Sequence, residues 1–112
     1  MKSAIAAVAF ALAPVSAAAQ WVDAGQILEA CQEQQGFLAG YLAGTLNYGE
    51  AIQTLDEQVG RSIEPTICVP KDVTIREVGQ KFCAYIEAHP ERQSWPMGLL
   101  SHSALSHSFP CQ

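Results

Sequence analysis

VTIREVGQKFCAYIEAHP, residues 73–90, is the stretch whose reading decides the fold. Thr74 and Glu77 stand in the S/T-x-x-E spacing of a helix-capping box, and Val73 and Val78 occupy the two positions of a hydrophobic staple. Ile75, Val78, Phe82, Tyr85 and Ile86 then recur at helical spacing and give one apolar face. The helix should stop near His89, because the residue before Pro90 is disfavoured in the α region. A second helical pattern follows. Ser94 can cap it, with Trp95 and Pro96 in its first turn. Met97, Leu100, Ala104, Leu105 and Phe109 supply its inner face, and Pro110 ends it. Two helices joined by a turn near residues 90–94 make an antiparallel hairpin.

Cys68 and Cys111 both fall at the open end of that hairpin. Cys83 sits mid-helix, about ten or more Å from either at 1.5 Å rise per residue, which exceeds the Cα separation of about 7 Å beyond which a bridge fails. Cys68–Cys111 is therefore the preferred pairing, and Cys31–Cys83 remains to tie an earlier helix to the hairpin. That earlier helix is expected from about Asp23, its N-cap, to Leu46, with Leu28, Cys31, Leu38, Leu42 and Leu46 (or Thr45) on the helical period. Gly36, Gly40 and Gly44 lie along one of its ridges. Each costs up to about 1 kcal/mol against alanine in a helix, so another backbone is expected to come close there, within the fold or across a homodimer. Residues 47–67 are mixed and polar, with a short helix expected around Glu50–Val59. No strand alternation is present. The fold should be all-α, a small disulfide-stapled bundle of three to five helices with a C-terminal helical hairpin.

The disulfides presuppose an oxidising compartment, and the N-terminus supplies one. Lys2 gives a positive start, Ala4–Ala13 is an apolar run of signal-peptide length, and Ala17-Ala18-Ala19 satisfies the A-x-A cleavage rule. The run is too short to cross a hydrocarbon layer, which takes about 20 apolar residues. Residues 1–19 are therefore read as a signal peptide and 20–112 as one exported domain. Loss of Lys2 leaves five basic against eleven acidic residues, a net charge of −6. That charge argues against nucleic acid or an anionic membrane as partner and suits a basic protein. A domain this small often needs staples, and an even number of cysteines provides them.

Enzymatic chemistry finds little to stand on. Four paired cysteines leave no thiolate. In Ser101-His102-Ser103 and Ser106-His107-Ser108 the adjacent Ser and His point apart on a helix and lack a nucleophile elbow. His102 and His107, five apart, miss the i, i+4 spacing of a helical metal pair. Asp56-Glu57 resembles an acid/base pair only in composition. No catalytic residue, metal or cofactor is expected.

The chain resembles the Tai family of type VI secretion amidase immunity proteins, Rap-type members included. The resemblance rests on Cys31, on Gly40-Tyr41-Leu42-Ala43-Gly44, on Cys68-Val69-Pro70-Lys71-Asp72-Val73-Thr74, on Tyr85 through Glu91 with its His89-Pro90-Glu91, and on Ala104-Leu105 through Phe109-Pro110-Cys111. One departure is visible: the family commonly has a second cysteine just ahead of the Gly-Tyr stretch, where this chain has Leu38 or its neighbours, and Cys83 stands mid-helix instead. The resemblance implies a periplasmic all-helical protein, often dimeric, that binds a peptidoglycan amidase effector and blocks its active-site cleft. Candidate contact elements are the segment Glu50–Glu64, with Asp56, Glu57 and Glu64, and the turn Glu87–Trp95, where Arg92 or Trp95 would act as a hot spot if exposed. The alternative is a structural or chaperone-like envelope protein on the same scaffold.

Overall fold

The computed structural model describes residues 21–61 and 63–112; segment 1–19, read from the sequence as a signal peptide, lies outside them. Four α-helices follow in order: α1 (Ala24–Glu33), α2 (Gln35–Gln58), α3 (Ile75–Ala88) and α4 (Met97–Ser108), with a short 3-10 turn at Pro90–Arg92 between the last two. No strand occurs among the described residues. The nearest thing to one is an isolated antiparallel bridge between Ile67 and Pro110, where the Cys68 N–H donates to the Phe109 carbonyl at 2.8 Å.

α3 is the central element and packs against α1, α2 and α4. Val78, Phe82, Tyr85 and Ile86 bury its expected face, and Gly79 joins them. Ile75 does not. It lies at the rim of a cleft beside Gly36 and Ala39, where the glycine offers nothing to cover it. Thr74 Oγ accepts from the Glu77 N–H at 3.2 Å, so the cap forms, but the return half of the box is not made. α4 buries Met97, Leu100, Ala104, Leu105 and the following Phe109 against α3, which completes the hairpin. Ser94 does not cap it. Helix α4 begins at Met97 with Pro96 as its uncapped boundary, because Pro96 biases residue 95 away from the α region and delays the start.

The single helix expected over Asp23–Leu46 is two helices. Asp23 and Gln26 form a reciprocal capping box, with N–H to oxygen distances of 2.8 and 3.0 Å, and α1 then ends at Gln34 (φ −132°, ψ 62°). The Gln35 side chain, not its N–H, satisfies the Cys31 carbonyl at 2.7 Å. Gly36, a weak helix former, follows directly. The break lets Ile27 and Ala30 of α1 and Leu38 and Leu42 of α2 join one core with the buried face of α3.

Helix α2 does not stop near Leu46 but runs on to Gln58, absorbing the short helix expected at Glu50–Val59. It closes in a Schellman motif: Gly60, at φ +78°, donates to the Glu57 carbonyl, and Arg61 donates to the Asp56 carbonyl at 2.7 Å. Outside its own helix, the Gly36, Gly40 and Gly44 ridge has no heavy atom of the described residues within 4 Å of where a Cβ would stand, so no other described backbone approaches it. The glycine that is crowded is Gly79, whose added Cβ would lie 3.2 Å from Leu38 Cδ2.

Disulfides join Cys31 to Cys83 and Cys68 to Cys111, with Cα separations of 6.0 and 5.0 Å. The first fixes the end of α1 to the middle of α3. The second closes the open end of the α3–α4 hairpin beside the Ile67–Pro110 bridge. Each closes a loop worth about 4 kcal/mol in the chain-entropy account.

Candidate functional site

Two surface regions follow from this scaffold. The first is a groove of about 580 Å³ between the second half of α2 and the returning segment 63–69. The Cys68–Cys111 bridge anchors that segment against the end of α4, so the chain from Ile63 onward has to run alongside α2. The floor is apolar, made by Leu46, Ile52, Ile63, Ile67 and Val69. Glu50, Asp56 and Glu64 place carboxylates along it, and His102 of α4 closes one end. Thr66 Oγ and His102 Nε2 share a hydrogen bond at 3.2 Å. Asp56 is half-buried and Glu64 exposed. Glu57 is exposed and does not line the groove.

The second region is the turn of the hairpin. Arg92 is half-buried, with its guanidinium 5.7 Å from the Tyr85 ring centre and 5.0 Å from that of Trp95, and it donates to the Tyr85 hydroxyl. His89 stacks on Tyr85 at 4.2 Å and places Nδ1 2.8 Å from the Tyr85 carbonyl oxygen. Trp95 is also half-buried and packs against the core. Both residues therefore hold the turn in shape while presenting only part of their surface. Among the described residues no hydrogen bond or ion pair joins Arg92 and Trp95 to the Asp56, Glu57 and Glu64 set, and neither lines the groove.

The serine–histidine pairs resolve into separate structural contacts. Ser101 is buried and its Oγ lies 2.9 Å from the Tyr41 hydroxyl, while its neighbour His102 is exposed and faces Thr66. His107 is exposed, with its ring centre 5.3 Å from that of Tyr85. Ser106 Oγ donates to the Ser103 carbonyl, and among the described residues none of the four serine hydroxyls is hydrogen-bonded to a histidine. Among the described residues no three His, Cys, Asp or Glu side chains converge to hold a metal, and no helix is long and apolar enough to cross a membrane.

The groove was not visible residue by residue in the sequence. One wall is the continuation of α2, which contributes Leu46, Ile52 and Asp56; of Tyr48, Ile52, Leu55 and Val59, which recur there at spacings of four, three and four, Ile52 lines the groove. Gly60 placed just after them is the C-terminal signal that marks the helix end.

No curated protein and no solved structure matches the chain. A family model described as Rap1a immunity proteins matches residues 23–111, which takes in all four helices and both disulfides. The chain therefore belongs to the Rap1a immunity protein family, the Tai/Rap type of the type VI secretion system, and its general function is immunity through binding of a cognate effector protein.

Proposed function

We propose that residues 1–19 export the chain and that residues 20–112 act in the periplasm, binding a type VI secreted peptidoglycan amidase and occluding its active-site cleft. The observation that carries this reading is the family match over residues 23–111. Inhibition of this kind asks for surface complementarity and no chemistry by the inhibitor. Two disulfides and a close-packed hairpin reduce the ordering entropy that a binding surface must lose on association. Asp56, Glu57 and Glu64 on one side, and Arg92 and Trp95 in the turn, are the proposed contact residues. The uncovered Gly36, Gly40 and Gly44 ridge is the proposed seat of a second copy in a homodimer.

Co-expression tests the proposal. An amidase gene adjacent to this one, directed to the periplasm, should lyse the host, and co-expression of the full chain should prevent lysis. Deleting residues 2–19 should abolish protection by retaining the chain in the cytoplasm. Lysis that continues in the presence of exported, folded protein refutes the immunity reading. The exposed apolar side chains of Tyr48, Leu55 and Val59 are the feature on which a chaperone-like role would rest. That role predicts suppressed aggregation of unrelated clients in place of protection.

A further inference from the structure

We infer that the groove between the second half of α2 and residues 63–69 seats a segment of the cognate effector that carries a lysine or arginine beside an apolar side chain. The inference rests on the immunity reading above and names the surface and the chemistry of the contact. Three observations lead to it.

The first is unsatisfied apolar area. Ile52 and Ile63 line the groove yet stay 40% and 61% exposed. Tyr48, Leu55 and Val59, which do not line it, are exposed on the same half of α2. Exposed apolar side chains gathered about a groove mark an interaction surface. The second is uncompensated charge. Glu50, Asp56 and Glu64 line the groove and no lysine or arginine does. Among the described residues the one ion pair is Arg92–Glu91, in the hairpin turn. Asp56 is half-buried and its carboxylate makes no hydrogen bond to a described residue. His102, which also lines the groove, is hydrogen-bonded to Thr66. The third is the helix end itself. The C-terminus of α2 carries the negative pole of the helix dipole, and its last turn adds Asp56 and Glu57 with no basic residue, the reverse of the stabilising arrangement. An incoming cation relieves both the side-chain charge and the dipole.

Charge also decides between occupants. Two copies meeting groove to groove through a two-fold axis would oppose their own carboxylates, and like charges across an interface are penalised. A basic segment with an apolar neighbour satisfies rim and floor together.

The test uses the full chain and the amidase against which it protects in the lysis assay. Affinity is measured by titration of the purified mature protein. Asp56→Asn with Glu64→Gln should weaken binding about tenfold, and Asp56→Lys with Glu64→Lys about a hundredfold or more. Ile63→Asp should weaken it about tenfold. Glu29→Lys with Glu33→Lys changes net charge as much as the double lysine variant does, at exposed acids of α1 outside the groove, and should leave affinity within about twofold. Wild-type binding should weaken as salt rises from about 0.05 to about 0.5 M, and a Lys→Glu or Arg→Glu change in the amidase should restore binding to the double lysine variant. Every altered groove residue is at least partly exposed, and the Asn/Gln pair preserves shape, so circular dichroism should match the wild type. If the wild type protects and binds while the groove variants bind as tightly as it does, the groove assignment is wrong and immunity stands. If the groove variants only dissociate a dimer of the chain, or if the control pair weakens binding as much, the assignment is equally overturned. If the wild type gives no protection, both readings fall together.

Discussion

Alanine at Gly44 and alanine at Gly79 should shift stability in opposite directions, although both are glycine-to-alanine changes inside helices. Each gains about 1 kcal/mol of helix propensity. At Gly44 no described residue lies within 4 Å of the new Cβ, so in the monomer the gain is kept in full. For a domain of this size it should raise the melting temperature by about 4–8 °C. At Gly79 the Cβ would stand 3.2 Å from Leu38 Cδ2 and 3.8 Å from both Leu38 Cγ and Leu42 Cδ1. Leu38 is 2% exposed and Leu42 fully buried, so neither can swing into solvent. Overpacking of this kind costs about 1–3 kcal/mol, which cancels the propensity gain and leaves a net loss of up to about 2 kcal/mol. Thermal and urea unfolding with the disulfides intact measures both variants against the wild type. A Gly79→Ala variant as stabilised as Gly44→Ala would show that α2 and α3 separate at no cost and would refute the packing argument. A Gly44→Ala variant that loses stability in a concentration-dependent way would show that a second copy covers the ridge.

Removing either bridge as a serine pair, Cys68/Cys111 or Cys31/Cys83, should lower stability by about 4 kcal/mol, read from urea midpoints; a loss under about 1 kcal/mol for either would refute its role as a staple. Tyr41→Phe and Ser101→Ala should show a coupling of about 1 kcal/mol in a double-mutant cycle, because their hydroxyls meet at 2.9 Å across α2 and α4; a coupling near zero would show that Ser101 bonds its own helix instead. Thr74→Ala should cost about 1 kcal/mol through loss of the bond to the Glu77 N–H, measured in the same unfolding assay, and no change would mean that water replaces the cap.

What could be read in advance was whatever local chemistry dictates. The α3–α4 hairpin is written by Thr74, by the period from Val78 to Ile86, and by Pro90 and Pro96, each of which acts over one turn of chain. The bridge between Cys68 and Cys111 follows from hairpin geometry alone. The break at Gln34 was not legible, because Gln34 and Gln35 are good helix formers and the bend exists to bring Leu38 and Leu42 onto α3. The glycine ridge was legible as a pattern but not in meaning. Spacing shows that three glycines share a line, and cannot show whether anything occupies the space above them. The second half of α2 looked like a polar connection because it has no core to bury, and the groove it forms depends on a return path set by Cys68 and the Ile67–Pro110 bridge, both distant from α2 in the chain.

That division of the molecule yields a last prediction. Both disulfides hold α1, α3 and α4, and the fully buried side chains of α2 end at Leu42. From Ala43 to Gln58 the helix has only partly buried contacts. A free helix of that length is marginal in water, so its continuity with the anchored turn at Leu38–Leu42 and the Schellman cap at Gly60 must sustain it. Local opening should therefore be far easier there than in α3. Native-state hydrogen exchange should show amides from about Glu50 to Gln58 exchanging through local opening, insensitive to low denaturant, while those of Phe82–Ile86 exchange only on global unfolding. Binding of the effector in the groove should then slow exchange in residues 50–58 and leave Phe82–Ile86 unchanged. Equal protection of the two helices in the free protein would refute this account, since it would mean that α2 is held by contacts beyond those seen in the single chain. Recognition on such a scaffold uses the least stable helix as one wall of the site, and the staples keep its other wall fixed.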